Sequence, residues 1–389
     1  MLIRLHCVIR SRTISCLVMS LILLFGRSAV GDDGPVDVGE SRFGSRPLLN
    51  DPQWKQLDGA VDRALTYLAH NQGRDGSYAT HASGQPAVTA LATMAFLASG
   101  YLPDEGKYQK EITRGVDYVL SMQAPDGAIT LQRVGTHRAA HFEGNYNHAI
   151  SGLMLTEVYG MTTADRQEEI RIVIEKALKQ TRAQQTMPKR LPEDEGGWRY
   201  MRRFGVSDSD LSITAWELMF LRAARNAEFD VPSEWIDEAM GYIRRTYEPR
   251  QQGFRYGLRG EDNYVSRGMA GAGVVALALG GEHNSEMAQL TGQWILRHDF
   301  DRFNSTLSGE DRYHYGAFYC SQAMYQLGGD YWFDFFPRLL DVYVKNQNND
   351  GSWDAESNGN DNKYGSLYST ALVVLALTPP YQILPIYQR

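Results

Sequence analysis

A short motif of glutamine, glycine and an aromatic residue recurs along the 389-residue chain and restricts the folds that the chain can adopt. The clearest copy is QNNDGSW at 347–353; QGRDGSY at 72–78 is close to it, and QAPDGAI at 123–129 has lost the aromatic residue. EDEGGWRY at 193–200 and RQQGFRYG at 250–257 keep only the glycine and the aromatic residues. The glycine in each copy favours a tight turn, because glycine tolerates a positive φ. The motif therefore predicts repeated turns between longer elements.

Each turn separates an amphipathic helix from a helix that is almost free of charge. The run AVTALATMAFLASG at 87–100 has no charged residue, so a helix there needs cover on all sides. The predicted amphipathic helices are 56–71, 112–122, 168–184, 234–247, 285–298 and 334–346, and the predicted uncharged helices are 87–100, 146–160, 211–224, 269–281, 315–328 and 366–378. Six helical pairs of this kind predict a repeat architecture.

The ends of the repeat decide between an open and a closed arrangement. An open solenoid needs polar terminal repeats, because its last buried helices would otherwise meet water. Neither 87–100 nor 372–377 is polar. The sequence therefore predicts an all-α, closed (α/α)6 toroid of six helical hairpins, with long loops at one mouth of a central cavity.

The N-terminal residues have the pattern of an export signal. Arg4, Arg10 and Arg12 accompany an uncharged apolar run at 14–25, and small residues follow at 29–31. The run is shorter than the roughly 20 residues of a membrane span. We predict a signal peptide at 1–31, a flexible spacer at 32–53, the toroid domain at 54–380 and a C-terminal tail at 381–389. The mature protein would then be periplasmic or extracellular with no stable membrane span; a retained N-terminal anchor is the alternative.

Charge and cysteine content exclude some functions. Loss of the four arginines in the signal peptide takes the formal net charge from −7 to −11, which disfavours nucleic acid as a partner. Cys320 is the one cysteine left after cleavage, so an internal disulfide is excluded. Stability must therefore come from packing.

Six hairpins with Q-x-x-D-G-S-W turns resemble the terpenoid cyclase and protein prenyltransferase superfamily, whose repeats are named after prenyltransferases and squalene oxidase. The resemblance covers residues 54–380 and implies an apolar, isoprenoid-type ligand in the central cavity, with cyclase or transferase activity in an altered form. Squalene-type cyclases use a D-x-D-D acid, and the nearest match is Asp208-Ser209-Asp210-Leu211, which lacks the last acid. The resemblance thus implies Asp210 as proton donor beside Asp208; the alternative is that one of these residues only caps the helix that follows.

The zinc chemistry of protein prenyltransferases is not predicted. Their zinc site uses an aspartate close to a cysteine, and Cys320 has no aspartate two residues before it. A thioester run of Gly-Cys-Gly-Glu-Gln is also absent. We therefore expect no metal and no cofactor, and we interpret Cys320 as a buried, unreactive thiol.

Two other classes of function stay open. Toroids also serve polysaccharide lyases and hydrolases, and Asn147 with His148 loosely resembles the Asn-His pair with which some lyases neutralise a uronate and remove its proton. The alternative is a capping asparagine next to a histidine bonded to a neighbouring loop, and the acidic charge of the mature chain disfavours an anionic substrate. A non-catalytic scaffold for a protein or peptide is the other class. The sequence does not predict the oligomeric state.

Aromatic residues accumulate near the starts of the uncharged helices. Their π faces could hold a polyprenyl chain or stabilise a carbocation, or they could pack between helices as core. Three arginines, Arg199, Arg202 and Arg203, are close in sequence to Asp208 and Asp210 and could form ion pairs with them or hold a diphosphate or carboxylate. The predicted ligand-binding residues are Tyr146, Asn147, Trp198, Tyr200, Arg202, Trp216, Tyr256, Tyr264, Tyr313 and Tyr315.

Overall fold

The structure is a computed structural model that describes residues 47–131, 140–357 and 359–387. The predicted signal peptide lies outside the described residues, and so does the predicted spacer apart from 47–53. The described chain is mostly helical, as the sequence predicts. Within it, a single two-stranded hairpin pairs β1 (Tyr247–Glu248) with β2 (Gly253–Phe254) at the fourth predicted turn.

Two sets of helices alternate along the chain. The amphipathic helices are α1 (Asp51–His70), α3 (Gln109–Ser121), α5 (Ala164–Gln185), α7 (Ser233–Thr246), α9 (Glu286–Arg297) and α11 (Gly329–Lys345). The buried helices are α2 (Ala87–Ala98), α4 (Ala140–Tyr159), α6 (Leu211–Asn226), α8 (Arg267–Leu279), α10 (Tyr313–Leu327) and α13 (Gly365–Leu377). A short helix, α12 (Gly359–Asn362), precedes α13. Within the described ranges, no helix combines the length and the apolar character that a bilayer crossing needs.

The two sets differ in burial as their sequences predict. In α1 the buried residues recur at helical spacing from Leu57 to Leu68, whereas every residue of α2 is buried. Helix α1 begins at Asp51, inside the predicted spacer, because Asn50 and Gln53 form a reciprocal capping box ahead of the first buried leucine.

The buried helices contact one another in chain order. Helix α2 packs against α4, α4 against α6, α6 against α8, α8 against α10 and α10 against α13, and α13 also packs against α2. Each later amphipathic helix covers the buried helix that precedes it, so that α3 lies on α2 and α11 on α10. Helix α1 has no helix before it among the described residues, and it packs against α13.

In four of the repeated turns a glutamine ties the turn to the next amphipathic helix in the packing order. Gln347 donates from Nε2 to the carbonyl of Gly351 in its own turn and to the carbonyl of Ala60 in α1, both at 2.9 Å. The equivalent bonds join Gln72 to Gly76 and Glu111, Gln123 to Gly127 and Val173, and Gln185 to Gly196 and Trp235. The last turn therefore holds the first helix in the way that the first three turns each hold the amphipathic helix that follows them.

The glycine of each turn lies against the same neighbouring helix, three residues further on. Gly351 has a φ of +93°, and a Cβ atom there would overlap the carbonyl oxygen of Arg63. Gly76, Gly127 and Gly196 have φ values of +85° to +93° and lie in the same way against the carbonyls of Arg114, Lys176 and Glu238. Positive φ and the close approach of two backbones explain why the motif needs glycine.

Two parts of the chain differ from the predicted boundaries. Helix α4 begins at Ala140, six residues before the predicted start at Tyr146, so Asn147 and His148 lie within the helix and not at its beginning. After α13, the 3-10 helices Pro379–Tyr381 and Pro385–Tyr387 contact α10 and α6, and Ile386 donates its backbone N–H to Glu157 of α4 at 3.3 Å. The predicted C-terminal tail thus packs on the helical domain over its described part.

Candidate functional site

The repeated turn before α6 positions Asp210 at the start of that helix. The Asp210 backbone N–H donates to the carbonyl of Trp198 in the turn at 2.9 Å, and the next N–H, of Leu211, donates to the carbonyl of Tyr256 at 2.7 Å. Asp210 is the N-cap, because its Oδ1 accepts from the N–H of Ile213 at 2.8 Å. Asp210 therefore caps α6, as the alternative interpretation of the sequence predicts. The cap uses Oδ1 and leaves Oδ2 unused.

The second oxygen of Asp210 is one of four buried carboxyl oxygens in the described chain that lack a hydrogen-bond partner; the others belong to Glu143, Asp194 and Glu217. Oδ2 is buried and has no hydrogen bond of good geometry to any described residue. Three neighbours act to lower the pKa of this carboxyl: the Arg199 guanidinium, the Ile213 N–H and the Tyr256 hydroxyl. Burial opposes them and is the largest effect, so the pKa of Asp210 rises from 3.8 to about 6. The structure therefore holds a carboxyl group that binds a proton near neutral pH.

Tyrosines from several elements surround this carboxyl, and we call them, with Asp210, the mouth cluster: Tyr146, Tyr200, Tyr256, Tyr264 and Tyr315. The Tyr200 and Tyr256 hydroxyls are 3.0 Å apart, and the Tyr256 and Tyr264 rings stack with centroids 5.4 Å apart. All five side chains are half-buried. Burial raises the pKa of each phenol, and the nearby Asp210 carboxylate raises it further, so the phenols stay protonated.

A buried arginine supplies the positive charge of the mouth cluster. The guanidinium of Arg199 lies over the rings of Tyr200 and Tyr256, at 4.8 Å and 5.4 Å from their centroids. Its Nη1 is 3.0 Å from Oδ2 of Asp262, so the two side chains form a largely buried ion pair. Arg199 therefore moderates the pKa of Asp210 without forming a direct ion pair with it.

Asp208 has a different environment from Asp210, although only one residue separates them. Arg190 donates from Nε and Nη2 to the Asp208 carboxylate at 2.7–3.0 Å, and the Arg190 backbone N–H donates at 2.7 Å. Burial acts to raise the pKa of Asp208, but these bonds outweigh it and the pKa is lowered. Asp208 is therefore an ion-paired carboxylate that orders its loop and is poorly suited to donate a proton.

Five of the predicted ligand-binding residues have side chains outside the mouth cluster, and one of them, the buried Trp216, donates to the Tyr315 hydroxyl. Trp198 is buried in its turn and donates from Nε1 to the carbonyl of Thr181 at 2.8 Å. Asn147 donates to the carbonyl of Ser83 at 2.8 Å, joining α4 to the loop before α2. Tyr313 is buried and donates to the carbonyl of Phe300 at 2.7 Å. Arg202 is exposed. The side chains of Trp198, Asn147 and Tyr313 serve packing and loop order in this structure.

His148 occupies a structural position of the repeat. In three other turns the N–H of the aromatic residue donates to a threonine hydroxyl, at Thr89, Thr214 and Thr370. In the second turn the N–H of Ile129 donates instead to Nδ1 of His148 at 3.1 Å. The other ring nitrogen, Nε2, therefore carries the proton and is 3.0 Å from the Thr181 hydroxyl. Burial lowers the pKa of His148 to about 4, and neither nitrogen faces a ligand site, so the geometry does not support a role as base.

The Thr181 hydroxyl extends this network to Glu217, donating to its Oε2 at 2.9 Å. Burial raises the pKa of Glu217 from 4.5 to about 8, above its value in the unfolded chain. The contribution of the protonated Glu217 to the free energy of unfolding is fully present below about pH 4.5. It is lost as the pH rises through 8. We expect the free energy of unfolding to fall by roughly 2 kcal/mol between pH 6 and pH 9 on account of Glu217.

Glu217→Gln tests this, because glutamine keeps an acceptor for Thr181 and cannot ionise. Urea denaturation at pH 6 and pH 9 is expected to show a smaller pH-dependent loss in the variant than in the wild type. Glu238→Gln, at an exposed ion pair with Arg182, is the control and should leave the loss unchanged. An equal pH-dependent loss in wild type and Glu217→Gln would contradict the prediction.

Sequence reasoning missed a second group of buried carboxyls beside the mouth cluster. Glu356 accepts from the first N–H groups of α10, those of Tyr313, His314 and Tyr315, at 2.6–3.1 Å. Burial, with a smaller effect of the neighbouring Asp361, raises the pKa of Glu356 to about 7, although the three N–H bonds act to lower it. Glu356 comes 42 residues after His314 at the start of the helix that it caps, so no local pattern could show the pairing.

No protein-family model and no curated protein matches the chain. Solved structures match it over most of its length. A type II terpene cyclase, MstE from Scytonema, in complex with its substrate geranylgeranyl dihydroxybenzoate, has a TM-score of 0.56 and 14% identity, covering 86% of this chain and 99% of the other. A family 76 glycoside hydrolase from a bovine Bacteroides thetaiotaomicron strain has a TM-score of 0.61 and 12% identity, covering 84% and 78%. A glycosidase bound to glucose has a TM-score of 0.59 and 12% identity, covering 87% and 100%.

At these identities the likeness shows the fold alone. The chain has the helical fold of terpene cyclases, as the resemblance of its turns predicts, and it shares this fold with glycosidases. The chemistry has to be argued from the residues of the mouth cluster.

Proposed function

We propose that the chain is an exported, closed (α/α)6 toroid whose mouth cluster binds an apolar, isoprenoid-type ligand and protonates it. The contact of α13 with α2 and the bonds from Gln347 to α1 support ring closure. The Arg-rich start and the apolar run at 14–25 support export. The MstE complex supports the ligand class, because that cyclase of the same fold binds a geranylgeranyl substrate.

The observation that carries the proposal is the buried Asp210 carboxyl with one unpaired oxygen and a pKa of about 6. Protonation of a carbon-carbon double bond needs an acid that keeps its proton near neutral pH and is sheltered from water. The O–H bond at Oδ2 breaks, the proton joins one alkene carbon, and the π electrons form the new C–H bond. Positive charge then remains on the other carbon of the ligand.

The surroundings of Asp210 suit both products of this step. The carboxylate that forms keeps its bond from the Ile213 N–H and lies at the positive end of the α6 dipole. The tyrosine rings present π faces to which a carbocation is attracted. Loss of a proton from the ligand or capture of water would end the reaction, and the carboxylate could take the released proton back.

Asp210→Asn tests the proposed function, because asparagine caps a helix as well as aspartate does and carries no acidic proton. Consumption of a panel of polyprenyl alcohols and prenylated phenols is expected to fall by at least about 100-fold, the usual contribution of a general acid. Wild-type turnover is expected to decline as pH rises through about 6, since the protonated form is the active one.

The matched control is Asp208→Asn, two residues away at an ion pair. It removes an acid of the same type from the same loop and should reduce turnover much less. Equal turnover in wild type and Asp210→Asn would rule out acid chemistry at this residue and leave a non-catalytic binding scaffold.

A carbohydrate-active enzyme is the second candidate. Glycoside hydrolysis uses two carboxyl groups, and Asp361 is a partner available near the mouth cluster. Its side chain is 21% exposed, burial raises its pKa, and Tyr368 donates to it at 3.4 Å. This candidate requires that uncharged oligosaccharides release reducing sugar and that both Asp210→Asn and Asp361→Asn abolish the release. An effect of Asp210→Asn alone would exclude it.

A further inference from the structure

Side chains of α6 and α10 meet directly below Asp210. The Ser212 hydroxyl is 2.6 Å from the Tyr315 hydroxyl, and Trp216 donates from Nε1 to the same oxygen at 3.1 Å. One turn further along α10, Phe318 stacks on Trp216, with ring centroids 5.3 Å apart and planes at 5°. Tyr315 is half-buried, whereas Trp216 and Phe318 are each 1% exposed. Of these four residues, Tyr315 alone keeps appreciable accessible surface, and the packing behind it is closed.

The side chains of Ser212, Trp216 and Tyr315 meet on the face of α8 that points away from the amphipathic helices. Helix α8 lies between α6 and α10 in the packing order, and α7 and α9 cover its other side. Side chains that reach from α6 to α10 must pass in front of α8, toward the centre of the six buried helices. Gly268 makes room for this, because a Cβ atom there would lie 2.9 Å from the Tyr315 ring.

Two more helices, α4 and α13, each have a tyrosine in the neighbourhood of Tyr315. After burial, which has the largest effect, the Tyr315 phenol raises the pKa of Tyr146 on α4 and of Tyr368 on α13. A Coulombic effect of this kind requires the phenols to lie near one another. The Tyr315 hydroxyl thus contacts α6 directly, and tyrosines of α4 and α13 lie in its neighbourhood.

We infer that Tyr315, Ser212 and Trp216 form the floor of the ligand site, so that the site admits one terminal isoprene unit and excludes the rest of the chain. Ser212 lies two residues and Trp216 six residues after Asp210, which places the floor about 3 to 9 Å beyond the acid along the helix axis. The inference rests on the proposed function and specifies its substrate: an isoprenoid whose terminal double bond reaches Asp210 while its other units stay toward the mouth.

A length series of prenyl alcohols tests the inference by binding, without need of turnover. Dissociation constants of prenol, geraniol and farnesol are measured by isothermal titration calorimetry. For the wild type we expect values within about threefold of one another, because added units stay outside the buried site. An enclosed cavity would instead tighten binding by at least about 100-fold for each added unit, from the burial of its carbons.

The variants Trp216→Ala and the milder Trp216→Leu open the floor. We expect them to bind farnesol at least about tenfold more tightly than prenol, since new apolar surface becomes available to the chain. Trp332→Leu on α11 is the matched control, because Trp332 is also 1% exposed but packs against Phe336 and Tyr325. It should keep the flat length profile of the wild type.

The other possible binding results contradict either the floor or the proposed function. A wild-type affinity that rises steeply with chain length would overturn the floor, and so would a flat profile in a folded Trp216→Leu variant. Absence of binding by all three alcohols would overturn the proposed function itself, together with the inference that rests on it.

Discussion

Arg267→Met is expected to lower the free energy of unfolding by about 3 to 5 kcal/mol, the usual cost of removing one partner from a buried ion pair. Arg267 and Asp311 are both fully buried, and Arg267 donates from Nε to the Asp311 carboxylate at 2.9 Å. Methionine replaces the apolar stem of the side chain but leaves the carboxylate without its cation. Urea denaturation gives the change directly.

The loop between α9 and α10 explains why this pair has so large an expected effect. This loop lacks the glutamine and glycine of the repeat, and Arg267 donates to its carbonyls at Asp299 and Ser305, at 2.8 Å and 2.6 Å. The guanidinium also lies 4.4 Å from the ring centroid of Phe300. One buried cation therefore orders a loop that the repeated turn orders elsewhere.

Arg338→Met is the control for the loss of an arginine in an ion pair. Arg338 is half exposed and pairs with Asp299 and Asp301, so its loss should cost less than about 1 kcal/mol. Similar losses in Arg267→Met and Arg338→Met would show that burial of the pair does not determine its effect.

Gly351→Ala is expected to lower the free energy of unfolding by roughly 2 to 5 kcal/mol, from left-handed strain and from overpacking together. The φ of +93° disfavours any side chain, and the new Cβ would overlap the carbonyl oxygen of Arg63 in α1. The damage should be local at first, because the overlap pushes α1 away from the turn. Amide hydrogen exchange is expected to speed up in α1 more than in α6.

Gly100→Ala separates the cost of left-handed backbone strain from the cost of overpacking. Gly100 has a φ of +85°, and nothing lies within 4 Å of a Cβ atom built there. Alanine at this position should cost only the strain of its backbone conformation, about 1 to 2 kcal/mol. If Gly351→Ala costs no more than Gly100→Ala, the close approach of α1 to the turn does not contribute to stability.

The helical pairs were predictable because their signals are local. The buried stripe of α1 and the absence of charge in α2 depend on residues a few positions apart, as does the turn at 347–353. Gln185 was missed at the third turn because 11 residues separate it from Gly196, although it makes the same bond there. A hydrogen bond depends on distance in space, so an inserted loop hides the motif without removing its contact.

The candidate site was predictable only in part. An aromatic residue near the start of a buried helix can face the centre, as Tyr315 does, or face the surrounding loops, as Tyr313 does two residues earlier. The same uncertainty applies to Asp208 and Asp210, which differ because Arg190 reaches one of them and not the other. The sequence shows that these residues are close together in the chain, but it does not show which side chains each of them contacts.

The sequence by itself determined the alternation of amphipathic and buried helices, the repeated turns and the terpene-cyclase-like fold, because each follows from residues close together in the chain. Only the tertiary structure decided that Asp210 keeps an unpaired oxygen at a raised pKa, that His148 replaces a threonine of the repeat, and that Trp216 and Tyr315 meet below the acid. These features join residues that are up to about 100 positions apart. Burial and hydrogen-bond partners arise when distant segments pack together, and they set the chemistry of each group.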